Sequence, residues 1–158
     1  QTTTHFLVTT SNAGPTAGNA VTLTVTAKAD NNATVTTYAG TVHLTSSDGQ
    51  AVLGADNTLT SGVGTFSATL KTAGGQSVTA HDLAIPTIMG SVSMTVAPAA
   101  ANKLIYGQQP TAANAGLVIS PSPTVQIFDQ YNNLNFDNLY NKLNQFQYYF
   151  YDLQYIHH

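Results

Sequence analysis

The chain has 158 residues, no cysteine and a formal net charge of −3, with four lysines, seven aspartates and neither arginine nor glutamate. Charged residues make up 7% of it, against roughly a quarter in an ordinary soluble domain, so solubility rests on the hydroxyls and amides of Thr, Ser, Asn and Gln. So few cations argue against a nucleic-acid partner, and no apolar run approaches the ~20 residues that span a bilayer, so no membrane insertion is expected. This length allows one full domain and part of a second, held by core burial rather than by disulfides. Gln1 leads straight into strand-like sequence, so the N-terminus reads as a processed or excised boundary within a longer protein.

In chain order, His5 to Thr9 is a first strand, and the turn formers Asn12-Ala13-Gly14-Pro15 and Ala17-Gly18-Asn19 make the following loop. From Ala20 to Ala29 the pattern alternates, with Val21, Leu23, Val25 and Ala27 on one face and Thr22, Thr24, Thr26 and Lys28 on the other. Asp30-Asn31-Asn32 turns the chain, and Thr34-Val35-Thr36 reads as a short edge strand. The clearest element is Gly40 to Asp48: Val42 and Leu44 face inward, Thr41, His43 and Thr45 outward, and Ser47-Asp48-Gly49 stops it. Further strands are predicted at 51–53, 58–60, Gly64 to Leu70, Gln76 to Ala80 and about Ile88 to Val96. Their inward residues are Phe66, Ala68 and Leu70, then Val78 and Ala80, then Val92, Met94 and Val96.

Seven to nine short strands separated by turns every ~8–12 residues predict an all-β fold, an antiparallel β-sandwich of immunoglobulin-like type, over residues 1–97. Residues 98–101, Ala/Pro-rich, read as a linker. Then the pattern restarts. Lys103-Leu104-Ile105-Tyr106 echoes His5-Phe6-Leu7-Val8, Thr124-Val125-Gln126-Ile127 echoes Thr24-Val25-Thr26-Ala27, and Asp129 to Asn133 echoes the Asp30 turn. An interval of 98–100 residues makes 102–134 the start of a second repeat. Two such strands bury too little apolar surface to offset the ordering of their own backbone. They must lean on the first domain, borrow a core from the segment that follows, pair with another chain, or stay loose.

After Leu134 the composition changes: residues 135–158 contain no Thr, Ser, Ala, Gly or Val. Phe136, Leu139, Leu143, Phe146, Phe150 and Leu153 step by three and four as on an amphipathic helix, while the Asn content and the aromatic run Gln145 to Tyr151 favour β or irregular structure. This tail matches neither repeat, and packing of its Phe and Tyr side chains on strands 103–107 and 123–128 is expected.

The segments Gly40-Thr41-Val42-His43-Leu44-Thr45-Ser46-Ser47-Asp48, Gly62 to Gly74 and Gln76-Ser77-Val78-Thr79-Ala80 resemble the bacterial immunoglobulin-like (Big-type) repeats of large surface proteins. The restart at Lys103 to Pro110, with Ala115-Gly116 and Val125 to Asn133, is similar to the opening of the next repeat in such arrays. What the resemblance implies is a non-catalytic structural spacer or adhesion module of an adhesin-like protein, extracellular on the bacterial cell surface. Its partners would be neighbouring repeats and, for an adhesive module, a surface glycan or host protein. Two alternatives stand beside it: a carbohydrate- or protein-binding module using the loops 12–19 and 48–57, and a subunit that self-assembles by donating strands to a neighbour's open edge.

No residue pattern points to catalysis. Ser46, Ser47 and Asp48 lie near His43 in sequence, but residues alternating along one strand do not converge as a triad, and no Gly-x-Ser-x-Gly occurs. Asp30, Asp48, Asp56 and Asp82 fall in predicted turns, where Asp commonly bonds its own backbone, rather than as a glycosidase pair. No cofactor is expected apart from calcium, for which the oxygen donors Asp30, Asn31, Asp82 and Asp129 are the candidate metal ligands, without EF-hand or nonapeptide spacing. His43 and His81 would share a metal if their strands were neighbours, a weak site without a third ligand. His5 reads as a strand residue and His157-His158 as a tag-like pair. Asn32-Ala33-Thr34 matches a glycosylation acceptor but reads better as a turn, and Tyr106 and Tyr131 read as packing residues before a sugar platform.

Overall fold

The computed structural model describes residues 1–109, 112 and 119–135. The chain divides into two compact units, Gln1–Ala97 and Pro98–His158. The first contains β1 (His5–Thr10), β2 (Ala20–Lys28), β3 (Thr41–Ser46), β4 (Val52–Leu53), β5 (Asn57–Thr58), β6 (Val63–Thr69), β7 (Gly74–Asp82) and β8 (Met89–Val96). These strands pair antiparallel into two four-stranded sheets, ordered β1-β2-β6-β4 and β5-β3-β7-β8. The result is an immunoglobulin-like antiparallel β-sandwich.

Alternation along each strand produces the core. Val21, Leu23, Val25 and Ala27 of β2 are 0–4% exposed, as are Val42 and Leu44 of β3, while the intervening Thr22, Thr24 and Thr26 of β2 and His43 of β3 face outward. Phe6, Val8, Phe66, Ala68, Leu70, Val78, Ala80, Met94 and Val96 share the same interior. Each large side chain removed from water contributes about 1.5–3 kcal/mol, which makes this shared layer the main source of the unit's stability.

Three local readings are corrected. Thr34-Val35-Thr36 forms no strand: Thr34 makes an isolated bridge to Lys28, and Val35 is a buried plug whose amide donates to the Ala27 carbonyl at 3.0 Å. The predicted strand at 58–60 becomes Asn57–Thr58, with Leu59 dropping into the core at 1% exposure. Finally, β7 runs two residues further at each end than Gln76 to Ala80, so His81 and Asp82 end a strand rather than begin a turn. That extension sets the register His43↔His81 between β3 and β7.

In the second unit, β9 (Lys103–Gln108) and β10 (Thr124–Phe128) form an antiparallel ribbon. Its bonding matches that of β1, β2 and the turn after them. His5 pairs with Lys28 and Lys103 with Phe128, 98 and 100 residues on. The turn amides of Ala29 and Asp129 donate to the carbonyls of Ala33 and Asn133, both at 3.0 Å. Asn32 and Asn132 hold the same left-handed backbone, at φ 61° and 70°, a conformation that Asn tolerates better than most residues. Ala99, within the segment read as a linker, is tied into this unit: its amide donates to Asp129 Oδ2 at 2.8 Å and its carbonyl accepts from Asn135 Nδ2 at 2.7 Å. Residues 136–158, with the helix-or-strand expectation and the tail-packing expectation placed on them, lie outside the described residues.

Candidate functional site

Three aspartates that the sequence put in turns are buried and fully engaged. Asp48 accepts from the amides of Gln50 (2.9 Å), Lys71 (2.6 Å) and Thr72 (2.9 Å) and from the Thr72 hydroxyl (2.6 Å), tying the loop after β3 to the loop after β6. Burial works to raise its pKa, but the bonds from Thr72, Lys71 and Gln50 outweigh that and hold the carboxyl at about 2. Asp82 accepts from the Tyr38 hydroxyl and from the amides of Ala84 and Ile85, both at 2.7 Å. Burial again opposes these bonds, and again the bonds prevail and lower the carboxyl, while burial and then Asp82 itself push the Tyr38 phenol up. Asp129, in the second unit, is 0% exposed and accepts from the amides of Ala99, Tyr131 and Asn133 and from Asn133 Nδ2, each at 2.8 Å. There too burial is outweighed, and the carboxyl lies below its ordinary range.

These bonds bear on the four calcium candidates. Asp30 is exposed beside Asn31 in the turn after β2, Asp82 ends β7, and Asp129 belongs to the second unit. Calcium at Asp82 or Asp129 would compete with backbone amides for the same oxygens. Among the described residues no group of three or more His, Cys, Asp or Glu is gathered so as to hold a metal.

A pH dependence follows from Asp48. A carboxyl whose folded pKa is depressed stabilises the fold above its unfolded value, near 4, and loses that contribution as pH falls through the folded value. Protonating Asp48 over the window from about pH 4 to 2 is expected to remove about 2 kcal/mol. Urea midpoints measured between pH 7 and 2 should be flat above about 4.5 and fall below it, and the fall should shrink in Asp48→Asn.

The outward face of the β5-β3-β7-β8 sheet carries a row of metal-ligand-type side chains. His43 lies opposite His81, and His81 opposite Met89. Asp56, immediately before β5, is bonded to His43: its Oδ1 lies 2.6 Å from His43 Nδ1, with both side chains about two-fifths exposed. The two imidazole centroids are 5.1 Å apart with ring planes at 60°. The sequence pointed to both histidines but not to Asp56, whose place beside His43 depends on β5 pairing with β3.

A surface recess of about 480 Å³ is lined by Ala13, Ser47, Gly75, Gln76, Ser77, Ser93, Met94 and Thr95. It offers hydroxyls and an amide, with no ionisable side chain for acid–base chemistry. Ser46, Ser47 and Asp48 form no catalytic set with His43: Ser46 Oγ bonds the Ser77 carbonyl, Ser47 Oγ bonds Gln76, and Asp48 is occupied as above. Asn32 sits at its left-handed turn position, Tyr106 is half exposed on β9, and Tyr131 lies in the Asp129 turn.

No protein-family model matches the chain, and no curated protein is significantly similar in sequence. Similarity appears among solved structures. An adhesin of Escherichia coli, FdeC, aligns with a TM-score of 0.54 at 17% identity, over 84% of this chain and 43% of that one. A glycosyl hydrolase family 2 member from Bacteroides cellulosilyticus aligns with a TM-score of 0.53 at 16% identity, over 61% of this chain and 14% of that one. At such identities the likeness concerns the fold, and this chain spans less than half the length of either protein.

Proposed function

We propose that the chain is part of an array of Big-type immunoglobulin-like repeats on a bacterial surface, serving outside the cell as a spacer or adhesion module rather than as an enzyme. The observation that carries this reading is the recurrence, 98–100 residues on, of one strand pairing and one turn with the same amide bonds and the same left-handed asparagine. Among the described residues of the second unit β9 and β10 pair only with each other, and a two-stranded ribbon is marginal in water, which favours reading them as the opening of a further sandwich. The adhesin likeness supports the reading at the level of fold.

The mechanism is mechanical. Extended ladders and a close-packed interior resist deformation, and a surface of hydroxyls and amides stays soluble without attracting charged partners. Neighbouring repeats are the first partners, with a surface glycan or host protein for an adhesive role. Sequencing the coding region on both sides tests the proposal. Further copies at 98–100-residue intervals with an export signal are the expected result, and flanks encoding unrelated intracellular sequence would refute it.

The hydroxyl-lined recess favours a second reading, a carbohydrate-binding module. On a glycan array a pure spacer expects no binding. Saturable binding to one glycan class, abolished by Gln76→Ala, would replace the spacer role with binding at this recess.

A further inference from the structure

We propose that His43 and His81 together bind a borderline first-row metal ion, copper(II) most tightly, with Asp56 as the group that orients His43. Residues directly opposite on antiparallel strands project to the same face, so the register His43↔His81 points both rings from one patch of sheet into solvent. Two imidazoles bound to one ion through metal–nitrogen bonds of about 2.0–2.1 Å have centroids roughly 4.5 Å apart at the right angle of tetragonal copper(II) and roughly 5 Å apart at a tetrahedral angle. The observed separation of 5.1 Å is close to the tetrahedral value and a little beyond the tetragonal one, a gap that rotation of two partly exposed side chains closes.

Asp56 supplies what an isolated pair would lack. Its carboxylate at 2.6 Å from His43 Nδ1 is the acceptor for that nitrogen's proton, which leaves the Nε2 lone pair free to ligate. A carboxylate behind a ligating histidine fixes the tautomer and raises the basicity of the ligand. The strands under the site are rigid, because Val42, Leu44 and Ala80, beside the two histidines, are core residues, so little ordering cost attends binding. Imidazole nitrogen selects the borderline ions over magnesium or calcium, and among them the affinity order places copper(II) first. Water completes the coordination on the open side.

The test uses the full chain with His157 and His158 replaced by alanine, so that the terminal pair cannot bind the ion. Copper(II) chloride is titrated by calorimetry, with zinc and magnesium chlorides as comparisons, and the bound ion is read by electron paramagnetic resonance. One equivalent of copper bound through two nitrogen ligands is expected, with weaker zinc and no magnesium binding. His43→Gln and His81→Gln should each abolish that equivalent, and Asp56→Asn should weaken it roughly tenfold. All three positions are partly solvent-exposed, so the variants should melt as the parent does without metal. Copper binding that survives either histidine substitution, or that is lost in only one of them, overturns the shared site.

Discussion

Replacing Asp48 by alanine is expected to lower the unfolding free energy of the first unit by about 4 kcal/mol, a fall in Tm of roughly 15–25 °C for a unit of this size. The carboxylate receives three backbone amides and one hydroxyl, from Gln50, Lys71 and Thr72. Bonds to an ionised acceptor contribute about 1.5–3 kcal/mol each, more than neutral ones, although loops this close to the surface rehydrate some of the freed donors. Asp48→Asn keeps the shape and one acceptor oxygen, so about half the loss is expected. Asp30→Asn changes an aspartate of the same predicted class, but that side chain is exposed, and its effect should stay within ~0.5 kcal/mol. Equal effects at Asp30 and Asp48, measured by urea unfolding, would mean that Asp48 does not tie the two loops together.

That contrast also marks how far the sequence could be read. Alternation is a local property, so the faces of β2, β3 and β6 were legible residue by residue: Val21, Leu23, Val25, Val42, Leu44, Phe66 and Ala68 are buried as their positions require. What a turn aspartate does is not local. Asp30, Asp48 and Asp82 look alike in sequence, yet one is exposed while two accept bonds from segments the fold brings to them. Asp82 also misled the reading of β7, because a carboxylate that receives the next turn's amides can end a strand instead of following one.

The two repeats differ in the same way. Asp129 lies 100 residues after Ala29, not after Asp30, so the aspartates of the two turns occupy neighbouring rather than equivalent positions. Ala29 is buried as an apolar residue, whereas Asp129 is buried as a carboxylate that gathers Ala99, Tyr131 and Asn133. One backbone turn is therefore stabilised by core contact in the first unit and by charge-assisted hydrogen bonds in the second. The site on the outer sheet face was half legible for a related reason. His43 and His81 are 38 positions apart, and only the adjacency of β3 and β7 sets them opposite one another.

The other large effect is expected at Gly90, where β8 crosses close to β1 of the opposite sheet. A Cβ at this position would lie 1.9 Å from the Phe6 carbonyl oxygen and 2.7 Å from its carbon. Both are backbone atoms, so no rotamer change relieves the overlap. β1 cannot retreat, because Phe6 pairs with Ala27 and the ladder from His5 to Thr10 is fixed to β2. β8 is equally held, paired with β7 from Gly74↔Val96 to His81↔Met89. Overpacking of a well-filled interior costs about 1–3 kcal/mol when neighbours can yield, and more when they cannot. Gly90→Ala is therefore expected to cost about 3 kcal/mol, and Gly90→Val to leave the unit largely unfolded at 37 °C, with loss of strand circular dichroism and rapid proteolysis. Gly75 provides the comparison: it lies in β7 with nothing within 4 Å of a built Cβ. Gly75→Ala should be neutral or stabilise by up to ~1 kcal/mol through the unfolded chain's lost freedom. If Gly90→Ala melts with Gly75→Ala, the two sheets do not approach as closely at this crossing as the packing of Phe6 requires.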